Sequence, residues 1–141
     1  MPYKICISIL GLFLLKTFES CCFGNKNISL GNGFKLSEYS VKEVEIMYCL
    51  DNCCNSGYHV IPQTILAYNF NANWIIAKTD SSYYNGLNDF AYWIFKKTVL
   101  TTNDMDSTIK ANLIGPLDST KFYNLLLENN IKLQLINYSS K

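Results

Sequence analysis

The chain has 141 residues and a nearly balanced charge: 12 lysines, no arginine and 11 acidic residues give a formal net charge of +1. Nucleic-acid binding requires a basic surface that displaces phosphate counterions, so this balance argues against a nucleic-acid partner. Aromatic residues make up 14% of the chain, but they are spread over alternating segments. This distribution favours packing between strands over stacking on bases.

The first residues have the pattern of a bacterial export signal. Lys4 precedes the apolar run Ile5–Leu15, which is too short to span a bilayer but has the length of a secretory signal core. The small residue Ser20 stands directly before Cys21, and this order adds the prediction that Cys21 carries lipid. We therefore predict a lipoprotein signal peptide over residues 1–20.

Lipidation would fix where the protein works. A mature chain that begins at Cys21 would carry a diacylglyceryl group and an N-linked acyl chain such as palmitate, and two hydrophobic signals of this kind give stable membrane anchoring. The predicted location is the exported cell envelope of a bacterium, with the protein facing the periplasm or the exterior. The alternative is that Cys21 and Cys22 are ordinary thiols and cleavage occurs elsewhere.

After the signal, the sequence predicts a polar tether over residues 21–32 and a single β-rich domain over residues 33–141. Strands are predicted where apolar and polar residues alternate, or where β-branched and aromatic residues are enriched. The stretch Thr98–Asp106 is polar and is expected to be an insertion or an extended turn. The predicted strands are Gly33–Tyr39, Val41–Tyr48, Tyr58–Ile61, Thr64–Phe70, Asn73–Lys78 and Phe90–Lys96.

One helix is predicted near the C-terminus, over Thr120–Asn130. Asp118 or Ser119 can accept a backbone N–H bond at its start, and a weak strand or tail, Lys132–Ile136, follows it. Its narrow apolar face is formed by Phe122, Leu125 and Leu126. The predicted fold class is α+β, a small and mainly antiparallel β-sheet domain with one C-terminal helix.

Four short segments of the chain occur in the same order in one group of proteins. They are Gly31-Asn32-Gly33-Phe34, Trp74-Ile75-Ile76-Ala77-Lys78, Tyr92-Trp93-Ile94 and Gly115-Pro116-Leu117-Asp118 with Phe122. In these segments the chain resembles a family of small, uncharacterised bacterial proteins, many of them assigned as lipoproteins, that share a domain of unknown function. The resemblance implies export and a compact β-rich fold, and it carries over no catalytic residues. Where that family continues Ile-Asp-Lys-Lys, this chain has Ile94-Phe95-Lys96-Lys97.

The cysteines are the residues of this sequence best suited to form disulfides or to bind a metal. Signal cleavage would remove Cys6 and lipid would occupy Cys21, which leaves an even number of cysteines and favours disulfides in an exported protein. The candidates are Cys22, Cys49, Cys53 and Cys54. Cys49 can reach Cys53 or Cys54 across a turn, and one of those two can reach Cys22. The alternatives are unpaired thiols, or a zinc or copper site that adds His59.

The sequence predicts no metal site, no cofactor and no catalytic residues. A second pair of metal ligands is missing, and no nucleophile motif of the G-x-S-x-G type accompanies His59, the only histidine. His59 is expected to be a surface or hydrogen-bonded residue. Glu43 and Glu45 are expected to form a solvated row on one face of their strand.

These observations favour a lipid-anchored envelope protein that is not an enzyme and acts as an interaction or structural module. An envelope protein partner could add a strand to an exposed sheet edge. One alternative is an exported ligand-binding protein or enzyme with a site built from Tyr68, Trp74, Tyr92 and Trp93. Another is an immunity-type protein of the envelope.

Overall fold

The computed structural model describes residues 26–40, 42–62, 64–80, 90–100 and 104–139. The predicted signal peptide, Cys21 and Cys22 lie outside these residues. The described part contains nine strands and two short helices. The strands are β1 (Lys26–Gly31), β2 (Phe34–Ser40), β3 (Glu43–Cys49), β4 (Gly57–Ile61), β5 (Ile65–Phe70), β6 (Trp74–Asp80), β7 (Phe90–Lys96), β8 (Leu113–Leu117) and β9 (Ile136–Asn137); the helices are α1 (Met105–Asn112) and α2 (Ser119–Glu128).

The strands form two antiparallel sheets. Sheet 1 has the order β1-β2-β3-β4, and sheet 2 has the order β8-β7-β6-β5-β9. The chain passes from one sheet to the other between Ile61 and Ile65, next to Pro62, which has no N–H to donate to a ladder. The predicted antiparallel, β-rich character is confirmed, and the structure adds a division into two sheets.

The main core lies between the two sheets. Val44 and Ile46 of β3 are buried in it and Tyr48 packs against it, as the alternation of that strand predicts. Phe34 of sheet 1 meets Phe95 of sheet 2 edge to face, with their ring centroids 5.3 Å apart. Helix α1 adds two buried side chains, Met105 and Ile109, to the same core.

Helix α2 covers the far face of sheet 2. Its buried residues Phe122 and Leu126 pack with Ile76 of β6 and Ile94 of β7 in a second apolar cluster. Since β6 and β7 contribute alternate residues to the two clusters, sheet 2 is buried on both faces. The layers are therefore sheet 1, sheet 2 and helix α2.

Three of the predicted boundaries are corrected. Residues 26–31 form β1 instead of part of a tether, because Ile28 and Leu30 alternate and pack into the core. The polar stretch after β7 leads into a second helix, α1, whose Met105 and Ile109 lie one turn apart. The final strand β9 lies at Ile136–Asn137, at the end of the predicted segment.

Candidate functional site

Four of the residues singled out in the sequence, Glu43, Glu45, Cys49 and His59, lie on the side of sheet 1 that points away from sheet 2, here named the outer face. Its residues alternate with the core residues along each strand. The outer face is formed by Asn27 and Ser29 of β1, Lys35, Ser37 and Tyr39 of β2, Glu43, Glu45, Met47 and Cys49 of β3, and His59 of β4. The segment Leu50–Ser56, here named the cysteine loop, joins β3 to β4 and folds back over this face.

A disulfide closes the cysteine loop. It joins Cys49, the last residue of β3, to Cys54, and their Cα atoms lie 4.8 Å apart. Cys54 has a positive φ of 59°, a conformation that turns the chain back on itself. Cys53 is also disulfide-bonded. All three cysteines are buried.

Asp51 organises the inside of the cysteine loop. Its carboxylate accepts backbone N–H bonds from Cys53 at 2.8 Å, Asn55 at 3.2 Å and Ser56 at 2.9 Å, and it accepts the Ser56 hydroxyl at 2.8 Å. The Ser56 hydroxyl bond, with these backbone bonds, lowers the pKa of Asp51. The loop therefore keeps its shape best while Asp51 is ionised.

Side chains of the outer face hold the loop in place. Lys35 Nζ donates to Asn52 O at 2.6 Å, and Asn27 Nδ2 donates to Cys53 O at 2.9 Å. The Ser37 hydroxyl is fully buried and donates to Asn27 Oδ1 at 2.8 Å, which fixes the orientation of that amide. Polar side chains of β1 and β2 thus bind the backbone of the loop that follows β3.

Glu45 and His59 form a carboxylate–imidazole pair beside the loop. His59 Nδ1 lies 2.7 Å from Glu45 Oε2, and the Glu45 side chain is only 13% exposed while that of His59 is 68% exposed. The contact is close enough for an ion pair but lacks hydrogen-bond geometry, so Oε2 is the one buried side-chain oxygen without a hydrogen bond among the described residues. Glu43 is exposed as predicted, whereas the prediction of a solvated Glu45 is wrong.

The pair does not complete a hydrolytic triad in the described part of the chain. Ser37 is in register with Glu45 on the neighbouring strand, but its hydroxyl donates to Asn27. A serine nucleophile requires a hydrogen bond to the imidazole that takes its proton. The outer face therefore presents a fixed polar surface that includes the exposed imidazole of His59.

The alternative metal site does not form in this oxidised state. Cys49 and Cys54 share a disulfide and Cys53 is disulfide-bonded, so none of these sulfurs is the thiolate that zinc or copper requires. The described ranges contain no group of three or more histidine, cysteine or acidic side chains placed to hold a metal ion.

The four aromatic residues of the predicted ligand site lie on opposite faces of sheet 2. Tyr68 and Trp93 pack against the core between the sheets, and Trp93 Nε1 donates to Thr79 Oγ1 at 2.9 Å. Trp74 and Tyr92 pack against the cluster under helix α2. Because the sheet separates the two pairs, they cannot line one pocket.

Part of this site could have been found from the sequence. Asp is common in turns because its carboxylate binds nearby backbone N–H groups, and that preference could have identified Asp51 as the centre of the loop. The roles of Asn27 and Ser37 depend on which strands pair and which faces they present. Nothing in the local sequence around either residue shows this.

No protein-family model, curated protein or solved structure matches this sequence. The resemblance to small bacterial lipoproteins therefore stays a prediction. Within the described ranges, no helix is both long enough and apolar enough to cross a bilayer.

Proposed function

We propose that this protein is an exported, lipid-anchored protein of a bacterial cell envelope, and that its β-rich domain is a non-enzymatic interaction module. The observation that carries the proposal is the oxidised cysteine loop. Cys49 and Cys54 are joined, and Cys53 is disulfide-bonded as well. Disulfides persist in oxidising compartments such as the periplasm and the cell surface, and they are rare where thiols are kept reduced.

The cysteine count supports lipidation at Cys21. Apart from the three cysteines of β3 and its loop, the sequence contains Cys6, Cys21 and Cys22. Removal of a signal peptide would take Cys6 away, and lipid would occupy the thiol of Cys21. The remaining partner for Cys53 is then Cys22, and we propose this second disulfide.

The start of β1 supports a position close to the membrane. Lys26 follows Cys21 by five positions, so an extended chain spans at most about 18 Å from the lipid to the sheet. The tether is thus shorter than the 21–32 segment predicted from composition. A Cys22–Cys53 disulfide would shorten it further and hold the cysteine loop next to the bilayer.

Strand β1 is an edge of sheet 1, and among the described strands only β2 pairs with it. The other edge strand, β4, has helix α1 packed against it. An edge strand presents unpaired backbone groups that an extended segment of another protein can pair with. We therefore place the proposed envelope partner at β1, beside the outer face.

The intact mass of native protein extracted from membranes tests this proposal. We expect the mass of a chain that starts at Cys21, increased by acyl chains and lowered by the hydrogens lost in two disulfides. A Cys21→Ser variant should lose the acyl mass and leave the membrane fraction. An unlipidated chain cut elsewhere, or alkylation of free thiols in the unreduced protein, would contradict the proposal.

The partner is tested separately with a photo-crosslinking residue. Ser29 is exposed on β1, and Tyr123 is exposed on helix α2 at the opposite side of the molecule. In intact cells, the residue at position 29 should crosslink one reproducible envelope protein and the residue at position 123 should not. Equal crosslinking from both positions would rule out strand addition at β1.

A further inference from the structure

A cleft of about 590 Å³ lies at one end of the two sheets. Three segments meet there: the β1–β2 turn, the β5–β6 turn and the chain that leaves β7. The volume is within the range of small-molecule sites, a few hundred to about 1,000 Å³. The cleft is lined by Asn32, Tyr48, Ala72, Asn73, Lys97, Thr98, Val99 and Leu100.

Among the described residues that line the cleft, only Lys97 is charged. Its ammonium donates to Leu30 O and to Asn71 O, the latter at 2.6 Å, and it lies 5.0 Å from the centre of the Phe70 ring. A lysine ammonium has three N–H donors, so these two carbonyl bonds leave one donor for another acceptor. The ammonium is thus held between two turns in a defined position.

The charge of Lys97 has no anionic partner among the described residues. The ion pairs there involve Lys26, Lys110, Lys121 and His59. Burial lowers the pKa of Lys97, because a partly buried ammonium is less well hydrated than one in open solvent. An opposite charge close to a partly buried ammonium favours its charged form, and an anion in the cleft would supply that charge.

The walls of the cleft suit an organic anion. Asn32 and Asn73 bring side-chain amides to the rim, and within the described residues neither amide makes a hydrogen bond. Tyr48 and Leu100 add apolar surface to the lining. These groups would donate hydrogen bonds to an oxyanion and contact the carbon part of the same molecule.

We propose that the cleft binds a small organic anion whose carboxylate or phosphate group pairs with Lys97 and accepts hydrogen bonds from Asn32 and Asn73. This inference goes beyond the proposed function, because neither lipid anchoring nor strand addition requires it. It also provides a site for the alternative function of a ligand-binding protein, because the four aromatic residues first considered for that site cannot line one pocket.

Binding is tested by titrating the isotope-labelled full chain, purified in a neutral detergent, with inorganic phosphate and separately with succinate. We expect the amide resonances of residues 31–33, 71–74 and 97–100 to shift and to saturate with at least one probe. Saturation with phosphate alone identifies a phosphate ligand, and saturation with succinate alone identifies a carboxylate. Shifts with neither probe, or shifts spread over all surface lysines, would overturn the proposal.

Two neighbouring lysines provide a matched pair of variants. Lys96 is exposed and pairs with Trp74 on the helix side of sheet 2, so Lys96→Gln should leave the affinity unchanged. Lys97→Gln should weaken it about tenfold, as expected for the loss of about 1.4 kcal/mol of interaction. Equal affinities in the two variants would exclude a role for Lys97.

A further variant separates ligand binding from a purely structural role of Lys97, whose bonds to two turns also support the fold. Asn73→Ala leaves the Lys97 bonds to Leu30 O and Asn71 O in place. We expect this variant to keep the thermal stability of the parent and to bind the same probe several-fold more weakly. Unchanged binding would show that the rim amide takes no part.

Discussion

At the residue scale, Asp118 fixes the start of helix α2. Its Oδ1 accepts the backbone N–H of Lys121 at 2.8 Å, and this bond lowers the pKa of Asp118 below 3.8. The stabilisation is therefore present above pH 3.8 and is lost as the pH falls through the lower pKa of the folded state. We expect Asp118→Ala to lower the melting temperature at neutral pH, by an amount that shrinks in acid.

Asp118→Asn serves as the control for this prediction. Asparagine keeps an oxygen that can accept the same N–H bond but carries no charge. Melting curves recorded from neutral pH into acid should show Asp118→Asn close to the parent at neutral pH and without the acid-dependent loss. If Asp118→Ala lowers the melting temperature by the same amount at every pH, the charge of Asp118 does not contribute to stability.

Asp118 and Cys49 show which contacts the local sequence can predict and which it cannot. A cap by Asp118 or Ser119 is predicted because polar residues precede an apolar helical pattern, and the structure shows that Asp118 is the cap. The partner of Cys49 could not be chosen, because Cys53 and Cys54 are adjacent and both are within reach. The choice of Cys54 depends on its left-handed backbone and on the loop folding over the outer face, which spacing does not encode.

At the scale of elements, helix α2 binds sheet 2 through one narrow face. Leu126 is 6% exposed and Leu127 is 80% exposed, so two adjacent leucines with the same helix propensity differ only in burial. We expect Leu126→Ala to lower the free energy of unfolding by about 2–5 kcal/mol and Leu127→Ala by less than about 0.5 kcal/mol. Chemical denaturation measures both, and similar losses in the two variants would contradict this packing.

The cysteine loop gives a second prediction at the scale of elements. Its disulfide closes a ring over a sequence separation of five, and so short a ring restricts the unfolded chain by about 2 kcal/mol. Cys49→Ala/Cys54→Ala should lower the free energy of unfolding by about that amount under non-reducing conditions. The free energy of unfolding of this variant should also fall somewhat more steeply with denaturant concentration than that of the parent, because its unfolded chain is less constrained and exposes more surface. No loss of stability would mean that Asp51 and the outer face hold the loop without the disulfide.

The sequence predicted the elements with strong alternation. It missed β1 and helix α1, which have few apolar residues, and β8, whose Gly115 and Pro116 are typical of a break. Strands β3 and β7 were placed within about two residues of their observed ends, because apolar and aromatic residues mark them. In β1 only Ile28 and Leu30 mark a buried side. Helix α1 has two buried residues, Met105 and Ile109, in a polar segment. Both elements are stabilised by tertiary packing more than by their own pattern.

At the scale of the whole molecule, the division of the strands into two sheets could not be predicted from the sequence. Each strand alternates in the same way whether it belongs to a single sheet or to one of two packed sheets. The division depends on the crossing from Ile61 to Ile65, where the chain leaves sheet 1 and enters sheet 2. The outer face exists only because of this division, which explains why its polar network was not predicted.

The C-terminal segment joins the two sheets through Tyr138. Its backbone N–H donates to Leu66 O of β5 at 2.8 Å, and its hydroxyl donates to the Glu38 carboxylate of β2. Burial, together with the bond to Glu38, raises the pKa of Tyr138 to about 12. A raised pKa means that the protonated hydroxyl is favoured in the folded state. This stabilisation is complete below pH 10 and is lost as the pH rises towards 12.

Tyr138→Phe tests this link across the whole molecule. The variant should lose about 1 kcal/mol of unfolding free energy at neutral pH, since a partly exposed hydrogen bond to a carboxylate is removed. The difference from the parent should close as the pH rises above 10 and reverse near 12, where an ionised Tyr138 would face the charge of Glu38. Tyr123→Phe, at an exposed position on α2, should match the parent at every pH. If the two variants behave alike, the C-terminal segment does not stabilise the contact between the sheets through this hydroxyl.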